Sequence, residues 1–502
     1  MVAAETAADM ARQLRQALRL TRTAELRLDW LRSDGERRRF LAWLKSRPLR
    51  QRKAARLIAT CRRREAGGKY PGSVAGERRF LEAAVRAGCR WYDLEIESVE
   101  AARGFEPIAP HLGQAIVSLH RFGRLAGNRA GLFGRFRPAP DAVWKLAVEC
   151  RNLADALRLI RAAREAASGR RPGRHPGRQM ILVPMGRAAE PMRILALRDA
   201  SLLTYAAVSR QTAPGQPTLE TVLREYRADR IDRRTRVYGI IGNHVGHSIS
   251  PSMHNAAFAA RGVNAIYLPF PVENLGDFIA AIAPLGVRGF SVTIPHKVAI
   301  LSYLHACDPL AKRLGAVNTV VVRAGRLYGY NTDYAGVLAA LRGQVKLEGC
   351  RALLLGAGGA ARAAGFALAD SGARVRVFAR RAARARSLAR AVGGGAIARP
   401  EIGRQEFDLI VNATPLGMAP DNRSPLTARE IHAPVIFDMV YRPLETPLLR
   451  QAARKGCQTI SGLEMLVAQG AEQWRLWMGR PTPIGRMRQA ALAALARDKD
   501  AH

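Results

Sequence analysis

The sequence predicts an α/β protein in two parts, a (β/α) barrel followed by a two-domain unit with a Rossmann-like nucleotide-binding domain. Three observations predict it. Short apolar runs recur through the first half, at intervals that mostly hold a helix. A second βα series starts near RVYGIIG (236–242), after a short charged connection. Within that series, LLLGAGGAARAAGFALADSG (353–372) reads as strand, glycine turn and helix. The chain of 502 residues is also too long for one ordinary core.

The barrel strands are expected at ELRLDWL (25–31), ARLIATCR (55–62), WYDLEIE (91–97), AIVSLHRF (115–122), VWKLAVEC (143–150), QMILVPMG (179–186) and LLTYAAV (202–208). Each is short, apolar and rich in β-formers, as strands buried on both faces are. After AIVSLHRF the interval 121–140 carries four glycines and two prolines, which predicts a broken or very short helix. The helix pattern AADMARQLRQALRLT begins almost at Met1, which leaves no room for a strand ahead of ELRLD. Seven strands are then expected where closure ordinarily needs eight, with ELRLDWL and LLTYAAV flanking a gap. An upstream start of translation is the expected cause.

Composition excludes several classes. No run approaches 18 apolar residues, and the N-terminal segment lacks an apolar signal core, so a soluble cytoplasmic protein is expected, with no membrane partner. Six widely spaced cysteines without a CxxC pair argue against a zinc site or disulfide framework, and no metal is expected. The net charge of +39 would suit nucleic acid, but the arginines are dispersed and only nine lysines accompany them. The densest cluster, RRPGRHPGR (170–178), lacks interleaved aromatics and reads as a solvated loop. No nucleic-acid partner is expected, and the charge suits small anionic substrates.

One residue breaks the pattern. Lys145 lies inside an apolar strand, where an ammonium is costly to desolvate. Strand parity puts Glu25, Arg27 and Asp29 on one face, Asp93, Glu95 and Glu97 on another, and Ser118 with His120 on a third. A single charged strand face is commonly just exposed, but four such strands in a barrel predict a polar pocket at its C-terminal mouth. There the enclosed lysine, near other cations, is expected to be a neutral amine that attacks a ketone and forms a Schiff base. His120 would remove the acidified neighbouring proton, and Glu95 would orient it. Alone, a buried lysine is more often an ion-paired structural residue; together, these groups favour chemistry.

Across about the first 230 positions the chain resembles the type I 3-dehydroquinate dehydratases, through ELRLD, IATCRRREAGG, YDLE, VSLH, VWKLA, MGRAAEPMRIL and TAPGQP. The resemblance implies that Lys145 is the Schiff-base lysine and His120 the proton-transfer base. It further implies that Glu25, Arg27, Arg62, Arg193, Thr212 and Gln216 hold the substrate carboxylate and hydroxyls. The family usually has Ser where Thr212 and Met192 stand. The implied reaction is dehydration of 3-dehydroquinate to 3-dehydroshikimate.

Residues 236–495 resemble shikimate dehydrogenase, through GHSISPSMHN, GFSVTIPHK, GAVNT, GYNTD, GAGGAARA, NATPLGM, YRPLETPLL and SGLEMLVAQ in register. Ser248 and Ser250 can hydrogen-bond a carboxylate, while Lys297 and Asp333 supply an acid/base pair for the oxygen that changes protonation during hydride transfer. By resemblance Thr293, Asn318, Thr332, Tyr441 and Gln469 complete the shikimate pocket, with Ser291 where many members carry Asn. The turn Gly356, Ala357, Gly358, Gly359, Ala360 and Ala361 would receive a pyrophosphate at a helix N-terminus. RVRVFARRAARARSLAR (374–390) contains no acid to hold ribose hydroxyls, whereas Arg380, Arg381 and Arg384 offer charge to a 2′-phosphate. NADP is therefore the expected cofactor, although Ala379 replaces an expected Asn. Thr414, Met439 and Gly462 are expected beside it.

The expected organisation is a dehydratase barrel (1–235), a substrate-binding domain (236–345, completed by helices within 463–495) and an NADP-binding domain (346–462). The order matches the fused dehydratase-dehydrogenases of the shikimate pathway. Rival readings are a catabolic quinate or shikimate dehydrogenase, and an active dehydrogenase carried by a weak or silent barrel scaffold. Oligomeric state is not legible.

Overall fold

The computed structural model describes residues 1–47, 55–121, 133–136, 139, 141–167, 179–186, 189–208 and 216–499. The chain divides into two compact units, Met1–Thr235 and Arg236–His502.

The first unit is built on a parallel sheet of six strands: β1 (Thr23–Arg27), β2 (Arg56–Thr60), β3 (Trp91–Glu95), β4 (Gln114–Arg121), β5 (Val143–Glu149) and β6 (Met180–Met185). They pair in sequence order, β1-β2-β3-β4-β5-β6, so β1 and β6 are the edges of a curled sheet. Three helices of this unit begin at side-chain caps. Thr6, Ser33 and Ser73 each accept a backbone N–H from the first turn of Ala7–Leu20, Asp34–Ser46 and Val74–Arg86, respectively.

Several expectations are corrected here. The segment 202–208 is not a seventh strand of the sheet, because its amides serve different neighbours instead of one ladder. Leu202 N–H donates to the Met180 carbonyl, whereas Ala207 forms an isolated parallel bridge with Thr218. ELRLDWL stops being a strand at Arg27, where a 3₁₀ turn (Leu28–Trp30) begins and Arg27 folds back onto Asp29 through bonds of 2.8 and 2.7 Å. WYDLEIE ends at Glu95, and Glu97 lies on the following helix Ile96–Ala101, paired with Arg135. Most of the interval 121–140, and all of 170–178, lie outside the described residues.

The open side of β1 is partly occupied after all. Val2 N–H donates to the Glu25 carbonyl at 2.8 Å and the Val2 carbonyl accepts from Arg27 at 3.0 Å, a single parallel bridge where no room was expected. The Met1 ammonium donates to the Ala206 carbonyl at 2.7 Å. Below this bridge lies a cavity of about 450 Å³, lined by Thr23, Ala24, Arg56, Trp91, Leu203 and Tyr205 among others.

The second unit contains two six-stranded sheets. The first joins β7 (Arg236–Gly242), β8 (Ala265–Pro271), β9 (Val287–Val292), β10 (Ala306–Cys307), β11 (Thr319–Arg323) and β12 (Arg326–Tyr330) in the order β10-β12-β11-β9-β7-β8, with β11 antiparallel to both neighbours. The second joins β13 (Arg351–Leu355), β14 (Arg374–Phe378), β15 (Gly395–Ala396), β16 (Leu409–Asn412), β17 (Val435–Asp438) and β18 (Gln458–Ser461). Its order, β15-β14-β13-β16-β17-β18, is parallel throughout and reverses direction at β13/β16, the switch point where doubly wound sheets bind ligands. Helices Gly462–Met478 and Ile484–Lys499 return to the first sheet, where Leu463, Trp474 and Met487 share a core with Tyr238, Met253 and Phe258.

Among the described residues no helix is long and apolar enough to cross a membrane. All six cysteines are free, four of them buried.

Candidate functional site

In the first unit the charged side chains converge at the C-terminal ends of the strands. Lys145 Nζ donates to Asp93 Oδ2 at 2.5 Å and lies 3.5 Å from Glu25 Oε1. Thr60 Oγ1 also donates to that Glu25 oxygen, at 2.8 Å. Arg62 Nε donates to Glu95 Oε1 at 2.5 Å, and Glu95 Oε2 meets His120 Nδ1 at 3.1 Å. The Tyr205 ring lies under the ammonium, its centroid 4.5 Å from Lys145 Nζ. Lys145, Asp93, Glu95, Glu25 and Arg62 are all buried.

The electrostatics follow from this enclosure. Burial pulls the Lys145 ammonium down, but Asp93, with Tyr205 and Glu25 beside it, raises it more, and the net shift is well above an ordinary lysine. The expectation of a neutral resting amine is therefore corrected: carboxylates, not cations, are its nearest neighbours. Burial pushes Glu25 and Glu95 up, yet Lys145 and Arg27 around Glu25, and Arg62 and His120 around Glu95, hold both carboxyls well below their usual range. His120 is lowered by burial and by Arg62 against the opposing pull of Glu95, so it rests as a neutral imidazole, able to accept a proton.

Three buried side-chain oxygens in this region, Glu25 Oε2, Asp93 Oδ1 and Ser118 Oγ, have no hydrogen-bond partner among the described residues. Buried polar atoms are ordinarily satisfied, so such a concentration marks a place for a polar ligand. The 450 Å³ cavity lies at the other end of the strands and shares Glu25 and Tyr205, but not Lys145, with this cluster.

Of the remaining residues expected here, Arg27 is buried and tied to Asp29. Arg193 is buried on the helix Ala189–Asp199, where Nε donates to the Pro184 carbonyl at 2.7 Å, and burial lowers it to about 10. No hydrogen bond or ion pair links it to the Lys145 cluster among the described residues. Gln216 is buried, and Thr212 lies outside the described residues. Asp93 and Tyr205 were given no role by sequence. Asp93 shares the strand parity of Glu95, which was a usable signal; Tyr205 lies in the run misread as a strand.

In the second unit Lys297 Nζ donates to Asp333 Oδ2 at 2.5 Å. Asn318 Nδ2 donates to Asp333 Oδ1 at 2.8 Å and to Thr332 Oγ1 at 3.0 Å, while its Oδ1 accepts from Thr332 N–H at 2.7 Å. Asp333, Thr332 and Asn318 therefore form one lattice beside the lysine. Ser250 opens the helix Ser250–Ala260, and its N–H donates to Ser248 Oγ at 3.2 Å. Tyr441 hydrogen-bonds Ser248, and burial raises its phenol. Thr293 is half-buried in the loop after β9, and Gln469 is buried on the helix Gly462–Met478.

The glycine turn follows β13. Gly356 has φ +116°, a conformation open to glycine, and Gly358 caps the helix Gly359–Asp370. A Cβ on Gly358 would meet nothing, whereas one on Gly359 would lie 3.2 Å from Lys297 Cδ. The helix N-terminus thus opens toward solvent at Gly358 and abuts the lysine at Gly359, with Ala357, Ala360 and Ala361 supplying the small residues between and beyond. Arg380, Arg381 and Arg384 are exposed at the end of β14 and the start of the next helix. Asn412 orders the facing loop by accepting from Thr414 N–H and Oγ1 at 3.0 and 2.7 Å. Gly462 permits a close approach, since a Cβ there would stand 2.4 Å from the Met439 carbonyl oxygen. Among the described residues, no group of His, Cys, Asp and Glu could hold a metal ion.

Three families match this chain: type I 3-dehydroquinase over residues 1–233, the shikimate dehydrogenase substrate binding domain over 240–320, and the shikimate 5′-dehydrogenase C-terminal domain over 462–492. The chain is 32% identical over 485 residues to the chloroplastic bifunctional 3-dehydroquinate dehydratase/shikimate dehydrogenase of Arabidopsis thaliana, covering 91% of this chain and 78% of that one. It is 47% identical over 281 residues to a shikimate dehydrogenase (NADP(+)) of Symbiobacterium thermophilum, covering 52% of this chain and 95% of the relative. A shikimate dehydrogenase (NADP(+)) of Geobacter sp. strain M21 is 48% identical over 283 residues, with coverages of 53% and 98%.

Proposed function

We propose, from the premise that this chain belongs to the family of bifunctional 3-dehydroquinate dehydratase/shikimate dehydrogenases, that it dehydrates 3-dehydroquinate and then reduces the product, 3-dehydroshikimate, to shikimate with NADPH. The observation that carries the first step is the convergence of Lys145, Asp93, Glu95, His120 and Arg62 on one buried pocket.

In the first step Lys145 gives its proton to a neighbouring carboxylate, and its nitrogen bonds to the ketone carbon. The carbonyl oxygen leaves as water, and an iminium forms. The iminium draws electrons from the adjacent carbon, whose proton passes to His120 while Glu95 holds the imidazole in place. The enamine then expels the β-hydroxyl, protonated by His120, as a second water, and hydrolysis of the imine takes one water up, returning its oxygen to the ketone and freeing Lys145. One water is lost overall. Glu25, Arg27 and Arg62 would grip the substrate; Arg193, Thr212 and Gln216 are assigned to the same pocket by resemblance.

For the second step Ser248, Ser250, Thr293, Tyr441 and Gln469 would hold shikimate, with Asn318 and Thr332 beside the reacting hydroxyl. Lys297 and Asp333 exchange its proton. NADPH, when bound, supplies the hydride. The open N-terminus at Gly358 suits its pyrophosphate, the exposed Arg380, Arg381 and Arg384 suit its 2′-phosphate, Thr414 lies beside Gly356, and Met439 and Gly462, which approach each other closely, are assigned to the same cofactor. The closeness of the Gly359 backbone to Lys297 supports a cofactor seated beside the pair that exchanges the proton.

The domain boundaries that accompany this reading are 1–235, 236–345 with the C-terminal helices, and 346–462. We assign no nucleic-acid partner, because the arginines are dispersed, and we place the protein in the cytoplasm, which suits its free cysteines. A second reading, an active dehydrogenase on a weak dehydratase scaffold, is favoured by one observation, the unclosed six-stranded sheet. Purified protein with 3-dehydroquinate, assayed with and without NADPH, decides between them. The proposal expects enone formation without cofactor and NADPH oxidation with it; oxidation of NADPH by 3-dehydroshikimate alone would leave only the scaffold reading.

A further inference from the structure

The lattice that holds Asp333 does not end at Asn318. Thr319 Oγ1 donates to Asn318 Oδ1 at 2.9 Å and accepts from Gln473 Nε2 at 3.1 Å. Gln473 Oε1 in turn accepts from Ser291 Oγ at 3.0 Å and lies 3.1 Å from His254 Nε2. Ser291 accepts from the Tyr267 hydroxyl at 2.6 Å, and Tyr267 stacks on His254 with ring centroids 4.4 Å apart. Every member from Tyr267 to Asp333 is buried, and the links come from β8, β9, β11 and the helices Ser250–Ala260 and Gly462–Met478.

We propose that Gln473 is a positioning residue for the Lys297–Asp333 pair: it is the hub of a buried hydrogen-bond chain that fixes the direction in which the Asn318 amide faces. This rests on the reading of the second unit as a shikimate dehydrogenase. The argument is one of donor and acceptor polarity. The Gln473 carbonyl faces two donors, Ser291 and His254, so its amide nitrogen must face Thr319. Thr319, having accepted from Gln473, has one proton to give, and Asn318 Oδ1 at 2.9 Å is the nearer of its two acceptors, Thr332 Oγ1 standing at 3.1 Å. Asn318 then presents its NH₂ to Asp333 Oδ1, and the other carboxylate oxygen is left to Lys297. An Asn318 amide turned the other way would set a carbonyl against a carboxylate. Burial makes each link matter, since an unpaired polar group there is costly and a satisfied network permits one arrangement.

Position on the helix supports the same role. Gln473 lies four residues beyond Gln469, on the same face of Gly462–Met478, so one helix carries a substrate-pocket candidate and the hub behind it. Ser291 is the link between Tyr267 and Gln473.

The test compares Gln473→Met, which keeps length and removes both hydrogen-bonding ends, with Thr319→Val, which removes the next link at equal size. Each is expected to lower kcat/KM for 3-dehydroshikimate reduction about tenfold and weaken shikimate binding to the cofactor-free protein several-fold by calorimetry. The KM for NADPH should stay unchanged. The double variant should be no worse than the weaker single variant, because both break one chain. If Gln473→Met fails to fold, Thr319→Val carries the same expectations. Unchanged kcat/KM in a folded variant, losses that multiply in the double variant, or an equal rise in the KM for NADPH would overturn the proposal. Wild-type protein without 3-dehydroshikimate turnover would overturn the functional reading and this inference with it; an active wild type with unaffected variants overturns the inference alone.

Discussion

Lys145 on β5 and Asp93 on β3 meet at 2.5 Å across the strand that separates them. Strands two apart in a flat sheet stand about 10 Å from each other, so the meeting requires side chains that reach inward over a concave face. The amine needed for attack must come from an ammonium held by a carboxylate.

Asp93 is therefore expected to take the proton from Lys145. Asp93→Asn should lower dehydratase kcat at least about tenfold at pH 7. Borohydride added with 3-dehydroquinate should fix ligand mass on the peptide containing Lys145 in the wild type, and more slowly in the variant. Unmodified Lys145 during full turnover would sink the imine mechanism, and an undiminished Asp93→Asn rate would remove Asp93 from it.

The pH profile follows from His120. Burial and Arg62 lower it from its ordinary 6.5, and a neutral imidazole is the working form. The acid limb of dehydratase kcat/KM should accordingly lie below pH 6.5. Glu95 is the group that opposes this shift, so Glu95→Gln should move the limb further down while also reducing the rate. A limb that moves upward in the variant would contradict the arrangement.

Glu77 offers a stability test away from the chemistry. Burial raises its carboxyl from 4.5 to about 7, against a hydrogen bond from Ser98 at 2.7 Å and the nearby Arg63. A folded value above the unfolded one means the contribution is fully present below about pH 4.5 and is lost as pH rises through about 7. Glu77→Gln stays neutral throughout, so its stability relative to wild type should rise between pH 5 and pH 8, by about 2 kcal/mol. Denaturant titrations that follow the first unit at both pH values would measure it; a constant difference would mean that Glu77 is ionised in the fold.

Cofactor choice should depend on the exposed arginines after β14. Replacing Arg380 and Arg381 with Ala is expected to raise the KM for NADPH at least about tenfold and leave NADH nearly unaffected, as loss of charge-assisted phosphate contacts would. Equal losses for both cofactors would make these arginines structural.

Much of this protein was legible in the sequence because its motifs are local. Strand positions at β1 to β6, the glycine turn after β13, and the pairing of Lys297 with Asp333 inside recurring motifs all depend on residue type and spacing, which a sequence displays directly. The acid-free stretch after β14 pointed to a phosphate for the same reason. Where a strand ended was harder to see: parity continued through Asp29 and Glu97, but a 3₁₀ turn and a helix take over because Arg27 finds Asp29 and the backbone after Glu95 closes helical bonds.

The tertiary structure decided what the spacing could not. Sequence put Lys145 near other charges but could not say which; the curl of the sheet brings Asp93 and Glu25 to it and sends Arg62 to Glu95, which reverses the expected state of the amine. The run at 202–208 had the composition of a strand, yet its partners at Met180 and Thr218 are different segments, and strand identity belongs to the ladder as much as to the residues. Gln473 lies more than 150 residues from Thr319 and Ser291, so only the return of the helix Gly462–Met478 to the first sheet could join them. Local chemistry is written in the sequence, whereas protonation states and hydrogen-bond direction depend on distant neighbours, and those are set by how the elements pack.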